Sequence, residues 1–399
     1  MPTFDLSRLD RFVGTSTTIR RPREFTFFSF DDTHVLKPLS TESLSYYYPA
    51  LFDAPGASST SVELSRGFDL FKQRDDTVDE HLDGLLQTLQ AYEERILDRV
   101  RNGEGEIKDV RVRADIITWR GMMTKILTAP FDDMFGDFEM NATCFQVRCF
   151  IEENHAYKAQ QNQVQNDRPP RRGEASQALM QYWGYKFESL SVLPRPWAEC
   201  SRDEIEGREA VVVNNHPQYC SIVRTGIGTT SLVLAGEVDA VLGEKPQSPD
   251  DPIPWIELKT SAQPDLRNPK DVIKLERRLL KYWAQSFLLG VPRIIVGYRT
   301  SEGRLTSLSE IETQRIPGMV KRGQGLWNGN VCINMSAAFL DFLKQIITGD
   351  GVWRIMRRKN ARAIEVFKVS ESGTAEIIKP TFKAHREKLL ALEMSAALG

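Results

Sequence analysis

Cysteine and histidine are both scarce in this chain, with five of each in 399 residues. An odd, scattered set of thiols excludes a disulfide framework. Cys144 and Cys149 come nearest to a pair, but odd spacing along one strand turns them to opposite faces. No second thiol pair or histidine lies near them in sequence to complete a zinc site, so they read as ordinary thiols. No two histidines stand four residues apart. A metal site here has to be built from carboxylates, which favours Mg2+ or Mn2+ over zinc. Long apolar runs are missing too. None approaches the roughly 20 residues of a membrane helix, and Met1-Pro-Thr-Phe-Asp-Leu6 has no signal-peptide pattern. The expectation is a soluble, intracellular protein without a membrane partner. Excess positive charge is also lacking: the net charge is −2. If the protein handles nucleic acid, it does so in a local basic groove rather than over its whole surface.

What is present is enough apolar sequence for a substantial core, ordered as strands and helices. Residues 1–75 read as irregular with short strands, among them Phe25–Phe30. Leu82, Leu85, Leu86, Leu89, Ile96 and Val100 form a helical stripe. Thr143–Ile151 alternates as a strand and runs into a polar stretch, 152–173, expected as a mobile surface loop. Glu174–Trp183 predicts a helix halted at Gly184, followed by a short strand Tyr185–Glu188. Strands are predicted at 209–214, 219–225, 231–242 and 255–260, then a helix over 270–289 stopped by Gly290. A strand at 293–298, a helix at 336–347, strands at 352–356 and 363–369 and a basic C-terminal helix complete the pattern. This is an α+β (mixed α/β) arrangement, with a central mixed sheet flanked by helices. Nothing marks a break, so a single catalytic domain over 1–399 is expected, with its core at about 110–350.

One constellation carries chemistry. Glu237 and Asp239 follow the apolar run Ser231–Ala235, and residues two apart on a strand share a face. Glu257 and Lys259 repeat that spacing on the next strand, with Ile256 and Leu258 turned inward, and residues 243–254 form the joining loop. If the two strands are neighbours, three carboxylates and a lysine converge. Such carboxylates repel one another, and a divalent cation offsets the repulsion. Each Glu-x-Asp or Glu-x-Lys pair alone is commonplace on a solvated sheet face. Their order on two apolar strands favours a metal-dependent phosphodiesterase acting on nucleic acid. Three segments add to it: Gly184-Tyr-Lys-Phe-Glu188 offers another acid, Trp119-Arg-Gly121 an arginine suited to phosphate, and Tyr282–Phe287 an amide, Gln285, on an apolar helix.

The order acid, then Glu-x-Lys, resembles the PD-(D/E)XK nuclease superfamily. Together with Arg120, Glu188 and Gln285 the chain resembles the DXO family of RNA 5′-end decapping and quality-control enzymes, over about residues 115–345. Tyr46-Tyr-Tyr-Pro49 resembles its fungal, nuclear members, which associate with the nuclear 5′–3′ exoribonuclease. The resemblance implies a PD-(D/E)XK-like core and one or two Mg2+ or Mn2+ ions held by Glu188, Asp239, Glu257 and the Leu258 carbonyl. Glu237 would join directly or through water. Lys259 and Gln285 would contact the attacking water or the scissile phosphate, and Arg120 the 5′ phosphates. It further implies hydrolysis of RNA 5′ ends bearing a triphosphate, an incomplete cap or an NAD cap, with 5′–3′ exonuclease activity in some members. Two other roles stay open at this point: a stabilising partner of the exoribonuclease, and a DNA-processing nuclease with the same core. Arg277-Arg278, about two helical turns before Gln285, is the better candidate for RNA backbone contacts than the basic run Arg354–Arg362.

Overall fold

The computed structural model describes residues 1–50, 62–132, 136–167, 175–248 and 250–398. The expected central sheet is two mixed sheets among these residues. In the first, ten strands run in the order Thr3–Asp5, Ala363–Ser370, Val352–Arg357, Phe138–Phe145, Arg148–Glu153, Ile116–Trp119, Thr230–Glu237, Gln218–Ile227, Ile19–Phe30 and Leu36–Pro38. In the second, seven run Val62–Glu63, Arg304–Glu312, Arg293–Arg299, Trp255–Ala262, Ala240–Val241, Tyr46–Tyr47 and Val192–Leu193. The helix Pro269–Leu289 packs between them. Its Leu279, Trp283, Ala284, Leu288 and Leu289 share one core with Leu232 and Leu234 of the first sheet and Ile294 and Val296 of the second. Pro at its start, Asn268 as N-cap and Gly290 at φ 74° delimit it where the sequence predicts.

The two sheets are joined by one strand of sequence that changes partners. The run expected as one strand over 231–242 pairs in the first sheet as far as Glu237, then in the second from Ala240. The returning loop is fastened across the junction by a buried cluster. Lys245 donates to the Tyr219 hydroxyl (2.8 Å), pairs with Glu24, and stands 4.0 Å from the centre of the Phe27 ring. Burial raises the Glu24 pKa even against that ammonium.

Several local expectations fail for identifiable reasons. Thr143–Ile151 is a hairpin, because Gln146 and Val147 both take positive φ and reverse the chain. Cys144 and Cys149 are therefore cross-strand partners on one face, and both are free thiols. As far as Asn166 the expected loop 152–173 is ordered structure: it begins as the strand ending at Glu153 and continues as the helix His155–Asn166, while 168–173 lies outside the described residues. The segment 209–214 is not a strand: Gly207–Ala210 is a 3-10 turn and 211–214 is irregular apart from a lone bridge of Asn214 to Lys72, with the buried Lys186 ammonium gathering the carbonyls of Glu209 (2.7 Å) and Val211 (3.2 Å). The helix expected from Ser336 starts at Gly329, capped by Asn328.

Candidate active site

The site lies along an edge that the sheet leaves uncovered. Of the strand Trp255–Ala262, Ala240–Val241 pairs with Ile256 and Trp255 alone, so from Glu257 onward that edge has no strand partner among the described residues. Asp239 fills the gap by accepting the Leu258 N–H at 2.6 Å. A strand residue's N–H and C=O point to the same side, so the Leu258 carbonyl faces the same gap. Lys259 reaches back to Glu257, Nζ to Oε1 2.6 Å, with the Glu257 side chain only 3% exposed. The idea of acids on an open, solvated sheet face is thereby excluded for Glu257.

The other groups arrive from three different elements. Glu188 comes from the helix Gln177–Leu190, not from a strand. Gly184 sits inside this helix with open space beside its Cα and does not stop it. Tyr182, Trp183, Lys186, Phe187 and Leu190 recur at helical spacing on the buried side, and burying each large apolar one contributes on the order of 2 kcal/mol. That outweighs the roughly 1 kcal/mol cost of the glycine. Tyr185 and Glu188, three apart, consequently line the same cavity rather than opposite faces. Arg120 is the first residue of the helix Arg120–Thr128, delivered directly by the strand Ile116–Trp119. Glu237 ends its strand and accepts from Gln218 Nε2 at 3.1 Å. Gly236 explains the close approach of Arg120: a Cβ there would lie 2.7 Å from Leu289 and 3.0 Å from the Arg120 Cβ.

These residues meet where two cavities, of about 360 and about 270 Å³, share Gln218 and Glu237. Arg120 and Gln285 line the larger, with Arg74, His81 and Lys158; Glu188 and Asp239 line the smaller, beside Val211, Val212 and Val213. Glu237 and Asp239 are not side by side on one strand as expected, because the chain crosses between the sheets at Val238. Gln218 and Arg74 were not foreseen. Gln218 falls on the Glu237 face by alternation from the paired Cys220, a signal visible only once the register is known. Arg74 comes from an irregular segment whose N–H donates to Asn215, and no periodicity marks it.

The electrostatics separate the acids. Burial, then Asp239, raises Glu237 to about 7, although solvent reaches this carboxylate and screens it. Burial, then Glu257, raises Asp239 to about 6. Glu188 is pushed well above the ordinary carboxylate range by burial and by Asp239. Burial acts upward on Glu257 as well, but Lys259 and Arg120 overcome it and hold it below its ordinary value. Lys259 is opposed by burial, yet Glu257, Asp239 and Glu188 raise it and keep it protonated. As placed, no three acidic, histidine or cysteine groups among the described residues stand close enough to hold a metal ion. Glu257 is engaged by Lys259, and Asp239 by an amide. The donor set is nevertheless all oxygen and carries uncompensated negative charge, the chemistry that suits a hard divalent cation.

A profile of the "RAI1 like PD-(D/E)XK nuclease" family matches residues 20–383. The chain belongs to this family. Two relatives named "Decapping nuclease RAI1" are 53% identical in Aspergillus fumigatus, over 97% of this chain and 99% of that protein, and 52% identical in Emericella nidulans, over 96% and 98%. Among solved structures, Candida albicans Rai1 in complex with pU5-Mn2+ superposes with a TM-score of 0.82 at 26% identity, covering 97% of this chain and 99% of that one. Scheffersomyces stipitis Rai1 in complex with (3′-NADP)+ and calcium ion gives 0.82 at 27%, covering 97% and 100%. The match thus extends well beyond the span 115–345 that carries the motifs, and it includes residues 20–100.

Proposed function

We propose that this protein is a divalent-metal-dependent hydrolase of RNA 5′ ends, releasing pyrophosphate from 5′-triphosphate RNA and removing incomplete caps and NAD caps. The observation that carries the reading is the junction of the two sheets, where Glu188, Glu237, Asp239 and Glu257 gather beside Lys259 at an uncovered strand edge. The relatives' name and the RNA, manganese and dinucleotide in the two Rai1 complexes support it. In this reading Glu188, Asp239, Glu257 and the Leu258 carbonyl hold Mg2+ or Mn2+, with Glu237 taking part directly or through water. The bound metal polarises the phosphate and lowers the pKa of a water. Lys259, held protonated, is no base; it orients that water and faces the charge that grows on the phosphate. Arg120, which makes no ion pair among the described residues, holds 5′ phosphates, and Gln285 on the same side of the cleft contacts water or phosphate.

The test is a panel of RNAs with 5′-monophosphate, triphosphate, unmethylated cap, methylated cap, NAD and hydroxyl ends, with duplex DNA alongside and products identified. Metal-dependent release from the RNA ends supports the reading; cleavage of duplex DNA alone overturns it.

A stabilising role toward a nuclear 5′–3′ exoribonuclease, and with it a nuclear location, is compatible with this activity. Trp197, 66% exposed, is the kind of large aromatic that anchors a protein interface. Pull-down of the exoribonuclease should weaken with Trp197→Ala and persist when Asp239 is lost; equal capture by all three proteins contradicts that surface.

A further inference from the structure

The hairpin formed by Phe138–Phe145 and Arg148–Glu153 turns at Gln146 and Val147, which take φ of 49° and 58°. A two-residue turn with both positions left-handed normally carries Asn-Gly, and a valine is strained there because of its branched Cβ. Val147 is 92% exposed, so packing does not offset that cost. Phe145 and Arg148 flank the turn as the first cross-strand pair, and Cys144 and Cys149 are the next. Along an antiparallel ladder, hydrogen-bonded and non-hydrogen-bonded pairs alternate. The Cys149 N–H decides which kind this is: it donates at 2.9 Å to the Asp115 carbonyl, on the side away from Cys144. The cysteines are therefore a non-hydrogen-bonded pair, with Cα atoms about 4.5 Å apart and both side chains on one face. A disulfide needs a Cα separation of roughly 4.4–6.8 Å, so an S–S bond can close here without moving either strand. Both are free thiols, Cys144 partly buried and Cys149 buried. Burial raises the pKa of Cys144, while the N–H groups of Gly349 and Val147 act the other way. Burial raises Cys149 as well. Cys144 is thus the thiol that meets a small oxidant first, slowly at neutral pH, and Cys149 is the one that resolves it.

We propose that Cys144 and Cys149 are a peroxide-responsive modification site that closes reversibly into a cross-strand disulfide. The Cys144 sulfur attacks one oxygen of hydrogen peroxide: an S–O bond forms, the O–O bond breaks, and the departing hydroxide takes up the Cys144 proton and leaves as water. Cys149 then attacks the sulfenic sulfur. The S–S bond forms, the S–O bond breaks, and the departing hydroxide takes the Cys149 proton and leaves as a second water. The two sulfurs are oxidised and the peroxide is reduced. A dithiol reductant reverses the step by exchange. The strained turn supplies access, since local opening at Gln146 and Val147 uncovers Cys149 without unfolding either sheet. The bond staples one end of a hairpin whose other end brings Glu152 and Glu153 to the wall of the larger cavity.

Trypsin cuts after Arg148 and so separates the two cysteines into peptides 126–148 and 149–158. The experiment exposes the folded full-length protein to excess hydrogen peroxide, then unfolds it in N-ethylmaleimide, which blocks every remaining thiol, and digests it with trypsin. The expected product is the two peptides joined, two hydrogens lighter than their sum, and parted again by dithiothreitol. Cys144→Ser should abolish that product and leave peptide 149–158 carrying the maleimide. Both peptides fully labelled after peroxide treatment of the parent protein overturns the site. So does joining of either one, in preference, to a peptide that carries Cys200, Cys220 or Cys332.

Discussion

Glu237 and Glu257 are both glutamates at the junction of the sheets, and they are driven in opposite directions. The acid at the end of the first sheet is raised to about 7; the one on the uncovered edge of the second is held below its ordinary value. Burial pushes both upward, so burial is not the difference. Glu257 has an ammonium at 2.6 Å, whereas the nearest side-chain donor to Glu237 is the neutral Gln218 amide at 3.1 Å. One cation two residues along a strand decides which carboxylate is ready for a metal at neutral pH and which must first lose a proton.

The largest way to break this contrast is Lys259→Met. It removes the charge that depresses Glu257, so the two acids become alike, and it removes the cation beside the phosphate. Hydrolysis should fall by roughly a hundredfold to a thousandfold, read as kcat at saturating metal. Activity within a fewfold of the parent protein would mean that Lys259 only balances charge. A milder disturbance is Gly236→Ala, which touches neither carboxylate. Its Cβ would meet Leu289 and displace Arg120, at a cost of about 1–3 kcal/mol in packing. The expected result is a lowered melting temperature, together with a kcat/KM loss on triphosphate ends of the order of tenfold.

The smallest effect is in pH. In the metal-free protein Glu237 and Asp239 bind protons more tightly folded than unfolded, with folded values of about 7 and about 6. Their contribution to stability is therefore fully present below the ordinary carboxylate range and is lost as the pH rises through about 6 to 7. A divalent metal that takes the place of those protons should raise the melting temperature more at about pH 8 than at about pH 5. A metal-induced shift that does not depend on pH would contradict the assignment of these acids.

Part of the proposed site was legible because strand alternation and the Glu-x-Lys spacing survive in the second sheet: Glu257 and Lys259 do share a face, and Leu258 and Ile256 are buried. Glu188 reaches the cleft from a helix where the sequence predicts a strand. Gly184 and the alternating Tyr185 and Phe187 imitate a strand, while the decisive evidence for a helix, packing of Trp183 and Phe187 against distant residues such as Gly303 and Gly297, is absent from local sequence. The transfer of the chain between sheets at Val238 was equally hidden, since an apolar run gives no sign of where its hydrogen-bond partners change. Helices with strong caps, such as Pro269–Leu289, were predicted nearly to the residue. Segments fixed by a single long-range bond, such as the turn held by Lys186, were not.

The central claim is that the acids at the sheet junction act together through a divalent cation on an RNA 5′ phosphate. Its most direct test is Mn2+-dependent release of pyrophosphate from 5′-triphosphate RNA by the parent protein and by Asp239→Ala, with Mn2+ binding to each measured by calorimetry. Metal-dependent release by the parent protein, with both release and Mn2+ binding lost in Asp239→Ala, is the predicted result. Undiminished release by Asp239→Ala would contradict it.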